Sequence, residues 1–318
     1  MNEASSKFVD KIATEKLLSE KLQTVHHTPN TQWQQFDTSL SALTSLDGQL
    51  TVRETSRDEQ ALLSFDSAIS TGYPENDTVP CLVFPAAQAA GDVIFVHGLY
   101  EDNRDIYNFF ISQLNNQGLN VYALTLPFHY DRQPANSSFS GEFYFSGDAY
   151  RNTVAFKQAV TDVLQFYHYL KRRTGRSVCI AGFSMGAGVG LTVSGLISVD
   201  GMFAINPVCN IADLIWSSFL FSPVKQDLIA AGFDQQDIAE LYGEFEPLGF
   251  RPPRTSQDRV VLGMGRYDQI NDPKNYSLLH QTWDLQHVIE YKAGHLNILR
   301  VPKLASDVAN FYFNRTDS

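Results

Sequence analysis

Six short apolar runs recur along the chain, separated by longer stretches with helical spacing. They are GDVIFVHG (91–98), LNVYALTLP (119–127), SVCIAGF (177–183), DGMFAINPV (200–208), RVVLGMG (259–265) and HVIEYKAG (287–294). A β-forming run without polar alternation suits a strand buried on both faces. Strands of that kind alternating with helices imply parallel pairing and helices on both sides of one sheet. The expected fold class is therefore α/β with a mostly parallel central sheet. Two other β-rich stretches, QLTVRETS and TVPCLVFPA, stand ahead of the first run, with Gly-Tyr-Pro punctuation between them.

The helical stretches are equally legible. DIYNFFISQLNNQG ends in glycine, and VPKLASDVANFYFN closes the pattern. The longest helix spans about residues 149–174, with Asp148 as its N-cap and Val154, Ala155, Ala159, Val163, Phe166, Tyr167 and Leu170 on its buried face. Near the start, Phe8, Val9, Ile12, Leu17, Leu18 and Leu22 recur at helical spacing. That stripe predicts an amphipathic helix packed on the body of the protein, and TPNTQWQQFDTSL then reads as a loop. One segment breaks the alternation: residues 208–256, with IADLIWSSFLFSP and VKQDLIAAGFDQQDIAELYGEF, are helical in pattern and too long for a simple connection. The chain accordingly divides into a helical extension (1–50), a first core part (51–207), an inserted helical lid (208–256) and a second core part (257–318).

Charge and cysteine usage narrow the function classes. The 318 residues carry a formal net charge of -11. Such a surface repels phosphate backbones and anionic headgroups, so no nucleic-acid partner is expected. No window approaches 18 uncharged apolar residues, so no stable membrane insertion is expected either. Cys81, Cys179 and Cys209 form no CxxC pair and fit buried thiols in a reducing compartment. The first 25 residues hold no continuous apolar core of a signal peptide, and a cytoplasmic location follows as the expectation.

The chemistry is written around GFSMG (182–186), between an apolar run and a small-residue helix. A serine on a tight strand-to-helix turn needs neighbours two residues either side that are nearly free of side chain, and Gly182 and Gly186 meet that need. The turn lifts the Ser184 hydroxyl clear of the sheet. The helix start behind it presents N–H groups to developing negative charge. A neutral hydroxyl needs a base held by a carboxylate. His295 and Asp268 each lie just past a predicted strand, in the order Ser…Asp…His that a sheet of this kind uses. Asp272 and Asp213 are rival acids. The other histidines considered read as structural: His26, His27, His168, His280 and His287 (the last two flanking a helix-like stretch), and His97, which holds the loop after the first apolar run. Met185 and Leu99 are the expected oxyanion donors, with Gly98 letting the backbone turn.

Together VHGL (96–99), GFSMG (182–186), GRYD (265–268) and AGH (293–295) resemble the α/β-hydrolase superfamily of serine hydrolases, over about residues 80–318 less the lid. The resemblance implies an α/β-hydrolase fold, with Ser184, Asp268 and His295 as a triad and Leu99 and Met185 as the oxyanion hole. The implied reaction is cleavage of a carboxylic ester or thioester of a small-molecule acyl substrate through an acyl-enzyme. A lid cluster of Ile211, Leu214, Ile215, Trp216, Phe219, Leu220 and Phe221 either packs on the body or lines the pocket; in the second case medium acyl or aromatic esters are favoured. Tyr100, Tyr130, Arg132, Trp216 and Phe219 are candidate substrate contacts, with an ion pair to Asp131 or another acid as the alternative role of Arg132. No cofactor is expected, since Gly186, Gly188 and Gly190 do not spell G-x-G-x-x-G. No metal is expected, since no HExxH and no His-Cys cluster occurs. Acyl transfer by the same residues and a non-catalytic ligand-binding homologue remain open alternatives.

Overall fold

In the computed structural model, which describes residues 2–22, 34–45, 49–57, 59–250 and 253–316, the apolar runs form the parallel part of a nine-stranded sheet. The chain enters with α1 (Glu3–Leu17), prolonged by a π turn over Leu18–Leu22. A hairpin of β1 (Arg53–Arg57) and β2 (Gln60–Asp66) precedes the single turn α2 (Pro74–Asp77) and then β3 (Thr78–Phe84). Strands and helices then alternate: β4 (Gly91–Val96), α3 (Asn108–Asn116), β5 (Leu119–Leu124), α4 (Ala149–Thr174), β6 (Val178–Phe183), α5 (Met185–Leu196) and β7 (Gly201–Ile205). Three helices follow without a strand: α6 (Ile211–Ser217), α7 (Ser222–Ala230) and α8 (Gln235–Tyr242). The chain closes with β8 (Val260–Gly265), α9 (Pro273–Trp283), β9 (His287–Tyr291) and α10 (Pro302–Thr316).

The strand order is β1-β2-β3-β5-β4-β6-β7-β8-β9. β1, β2 and β3 pair antiparallel, as does β3 with β5. All other pairings are parallel. Both faces of the parallel part are covered, which is why β4 reads as an unbroken apolar run: Ile94 and Val96 enter the core shared with α4 and α5, while Val93 and Phe95 enter the one shared with α3 and α10. Parallel strands place the loops after β4, β6, β7, β8 and β9 at one edge of the sheet. That edge carries Leu99, Ser184, Asn206, Asp268 and His295.

The long helix occupies the residues expected. Asp148 caps it by accepting the Arg151 amide at 3.1 Å, and Gly175 ends it with φ 66°. It is buried well beyond the expected stripe, because residues 208–256 cover a second side: Tyr242 donates to Ala149 O and accepts from Asn152, and its ring meets Phe156 edge-on. β2 was not foreseen, since QALLSFD mixes polar and apolar residues in a strand that is only partly buried between β1 and β3. His280 lies inside α9 and His287 begins β9, so they do not flank one helix. His26 and His27 fall outside the described residues, as does part of TPNTQWQQFDTSL.

The first helix forms, and Leu18 and Leu22 are buried as expected, but the first part of the stripe reverses the expectation. Phe8, Val9 and Ile12 are 64%, 39% and 46% exposed, whereas Ser6 and Asp10 are fully buried. Ser6, Asp10, Ala13 and Leu17 share one helix face, and both polar members are hydrogen-bonded where they land. A satisfied polar group is not excluded from an interior. Among the described residues no helix is long and apolar enough to cross a membrane. Cys81, Cys179 and Cys209 are buried and form no disulfide.

Candidate active site

Ser184 adopts φ 54°, ψ -117°, a conformation that L residues rarely hold. Four backbone bonds fix it: its N–H donates to Ile205 O at 2.9 Å, and its carbonyl accepts from Ala187, Gly188 and Val208 at 3.1 Å each. The two flanking glycines are required by space. A Cβ on Gly182 would lie 2.5 Å from the Ala187 Cα, and one on Gly186 would lie 2.3 Å from the carbonyl oxygens of Val96 and His97.

The Ser184 Oγ lies 2.9 Å from His295 Nε2, and His295 Nδ1 lies 2.8 Å from Asp268 Oδ2. All three side chains are buried. Asp268 is held on both oxygens: Oδ1 accepts the amides of Ile270 and Asn271, and Oδ2 also accepts the Tyr276 hydroxyl at 2.8 Å. With Oδ2 accepting, the His295 proton sits on Nδ1 and leaves Nε2 as the acceptor for the serine. Burial pulls the His295 pKa down, but the charge and hydrogen bond of Asp268, with the charges of Asp10 and Glu101, outweigh it, and the balance is upward. The rival acids are engaged elsewhere. Asp272 caps α9 through the Lys274 amide, and Asp213 holds Asn275 and Lys274.

Leu99 and Met185 line a cavity beside Ser184, and their amides lack an acceptor among the described residues. On either side of Leu99, Gly98 N–H donates to the Tyr107 hydroxyl at 2.9 Å and Tyr100 N–H to His129 Nε2 at 3.2 Å. His97 is buried and accepts the Leu126 amide on Nε2 while Nδ1 donates to Gly98 O, so it braces the loop. Burial, reinforced by the His129 charge, pulls its pKa well down.

The cavity, of about 200 Å³, opens onto Ser184 and His295. Leu99, Tyr100, Met185, Leu214, Leu220 and Phe221 give it apolar walls, and α1 adds Ala13 and Leu17. Of the candidate substrate contacts, Tyr100 alone lines it. Helical rotation turns Leu214 inward and Trp216 away, and the turn Phe219–Phe221 directs Leu220 and Phe221 in, leaving Phe219 71% exposed. Tyr130 stands behind the wall and donates to Glu101 Oε2 at 2.7 Å. Arg132 is fully buried away from the cavity, paired with Asp162 at 2.9 Å and donating to the carbonyls of Asn76 and Thr125. Asp131 pairs with Arg57 and Arg104 instead.

The sequence profile of the alpha/beta hydrolase family matches residues 93–301, well over half of the chain. The chain belongs to that family. Among solved structures this alpha/beta hydrolase is similar to an acetyl xylan esterase from Paenibacillus sp. R4 (13% identity, TM-score 0.62, covering 94% of this chain and 98% of that one). It is also similar to acetyl xylan esterase 1 from Thermoanaerobacterium sp. JW/SL YS485 (14%, 0.59, 93% and 98%). A third likeness is to a soluble variant of monoglyceride lipase from Saccharomyces cerevisiae (15%, 0.54, 85% and 97%). At such identities the likeness is one of fold. No curated protein matches the chain.

Several groups of this alpha/beta hydrolase escaped the motifs. Asn206 at the end of β7 has φ 44° and is buried. Its Oδ1 accepts the Gly265 amide and its Nδ2 donates to the carbonyls of Gly294 and His295, joining the loops after β7, β8 and β9. Glu101 forms part of the cavity wall and accepts from the Tyr107 and Tyr130 hydroxyls; burial pushes its carboxyl up to about 7. Tyr276 gave no signal beyond its place in a helix. Among the described residues no group of three His, Cys, Asp or Glu side chains is placed to hold a metal ion.

Proposed function

We propose that the protein is a serine hydrolase of carboxylic esters or thioesters, acting through an acyl-enzyme. The observation that carries the reading is the continuous Ser184–His295–Asp268 hydrogen-bond chain opening onto an apolar cavity. As the Ser184 Oγ attacks the acyl carbonyl carbon, its proton moves to His295 Nε2. Asp268 keeps the Nδ1 proton in place and stabilises the imidazolium without taking the proton. The Leu99 and Met185 amides, unpartnered at rest, donate to the oxyanion that forms. His295 then protonates the leaving alcohol or thiol, the carbonyl re-forms, and the acyl group stays on Ser184. Water, deprotonated by His295, releases the acid by the reverse sequence.

Residues 208–256 serve as a lid over this centre, with Leu214, Leu220 and Phe221 against the substrate. Walls of that composition favour medium acyl or aromatic esters over sugars or charged peptides. The similar structures include an esterase and a lipase, which agrees with an ester substrate. A fluorophosphonate probe is expected to label wild type at Ser184 and to leave Ser184→Ala unlabelled; equal labelling of both refutes the nucleophile. In a chain-length series of p-nitrophenyl esters, a sharp preference for acetate counts against the lid assignment, and acyl transfer to added alcohols or thiols exceeding release of acid counts against hydrolysis.

A further inference from the structure

Outside the span shared with the family, one side chain reaches the reacting histidine from behind. Asp10, on the first helix, is fully buried, and its carboxylate accepts three backbone amides. Oδ2 accepts His295 N–H at 2.7 Å and Gln269 N–H at 3.3 Å, and Oδ1 accepts Leu296 N–H at 3.1 Å. Asp10 thus bridges the residue after Asp268 to the residue that would take the serine proton. One helical turn earlier, Ser6 Oγ accepts from Asn297 Nδ2 at 3.1 Å, while Asn297 Oδ1 holds the Gly294 amide. Farther along the same face, Ala13 and Leu17 form cavity wall.

We infer that Asp10 is a positioning residue of the active site, clamping the His295 and Asp268 loops together and stabilising the imidazolium by its charge. The inference rests on the ester-hydrolysis reading. Burying a carboxylate is costly unless its oxygens are satisfied, and here backbone amides of both catalytic loops satisfy them. An apolar residue would seat the helix without that cost, yet the helix leaves Phe8 and Ile12 in solvent and turns Asp10 inward. Lys7 and Lys11 of the same helix pair with Glu3 and Glu15. The charged groups facing His295 are Asp268 from the loop after β8, Asp10 from α1 and Glu101 from the loop after β4, and each raises its proton affinity. Burial raises the Asp10 carboxyl as well, opposed by the His295 amide and charge and by the Leu296 amide.

The test is the pH profile of kcat/KM for a p-nitrophenyl ester in wild type, Asp10→Asn, Asp10→Glu and Ser6→Ala. A parallel NMR titration of the His295 ring, assigned with His295→Gln, reads the same equilibrium without turnover. Removing the Asp10 charge lowers the histidine pKa, so the acid limb of Asp10→Asn moves down by roughly half a unit or more. Its kcat falls about 10- to 100-fold with little change in KM, as expected for loops that drift from the productive geometry. Asp10→Glu restores the limb, and Ser6→Ala lowers stability without moving it. A folded Asp10→Asn with unmoved limb and ring titration overturns the inference, whatever its melting temperature. If Asp10→Asn does not fold, Asp10→Ser, smaller and equally uncharged, reads the same limb. If neither folds, Asp10→Glu must show reduced kcat, and full kcat there overturns the clamp. Failure of wild type to turn over esters or to take the fluorophosphonate counts against the ester reading instead, and the ring titration still measures the Asp10–His295 link.

Discussion

Asn206 donates from Nδ2 to the carbonyl of His295 across 3.0 Å, with the Gly265 amide on its Oδ1 at 2.6 Å. One side chain therefore fixes the loops that deliver the acid and the base. Asn206→Ala strips a buried carbonyl and a buried amide of their partner, at a cost of about 1–3 kcal/mol for each group left unsatisfied. Urea denaturation should show the loss, and turnover should fall by roughly tenfold or more as the His295 loop relaxes. Wild-type stability and turnover in this variant would remove Asn206 from the framework.

The hydrogen-bond chain sets the scale of three other changes. Ser184→Ala and His295→Ala are each expected to lower kcat by roughly 10⁶-fold, and combining them should cost little more, since the two act as a unit. Asp268→Asn should cost roughly 10⁴-fold, because the amide no longer dictates the tautomer. In wild type, activity should fall as pH drops through the raised His295 pKa, because the imidazolium cannot accept the serine proton. A multiplicative double variant, or a rate that rises in acid, would contradict the assignment.

Arg132 is expected to govern stability and not substrate affinity. Arg132→Met leaves Asp162 buried with Ser67 as its remaining side-chain hydrogen-bond partner, a loss of about 3–5 kcal/mol for a broken buried pair. Pairing it with Asp162→Leu should recover much of that, since two apolar groups of similar volume leave no orphaned charge. Denaturation midpoints and ester KM values check this together. An unchanged midpoint with a raised KM would return Arg132 to the binding site.

Two buried carboxyls should make the protein less stable as pH rises from about 4.5 to 7. Burial raises Glu101 and Glu246 to about 7 each; Glu246 holds the Ile211 and Ala212 amides at the start of α6. In that window the folded chain keeps protons that the unfolded chain has released, so unfolding gains as pH climbs. Each group accounts for about 3 kcal/mol across the window. Glu101→Gln and Glu246→Gln should each be more stable than wild type at pH 8, with the advantage gone near pH 4. Urea denaturation at several pH values decides it, and parallel curves for variant and wild type would refute the shift.

The parallel strands and the Ser184, Asp268 and His295 loops were legible because their constraints are local. A strand covered on both faces must be continuously apolar, and a reactive serine on a strained turn must have small neighbours. Tertiary partners leave no such imprint. Nothing near Arg132 in sequence announces Asp162, and α9 does not mark Tyr276 as the residue above Asp268. The first turns of the opening helix misled for a related reason. Apolar periodicity assigns the inner face only when polar groups lack partners there, and Ser6 and Asp10 have them. Leu220 and Phe221 could not be separated from Phe219 by hydropathy, since only the path of the turn decides which rings face inward.

The three buried sulfurs give the molecule a built-in clock. Cys81 lies in the antiparallel part of the sheet, Cys179 in its parallel centre, and Cys209 where the chain leaves β7 for α6. Burial raises the Cys81 and Cys209 pKa values, so a thiol reagent added to the native protein waits for the fold to part. The order in which the three sites become alkylated reports whether the α6 side opens before the sheet does.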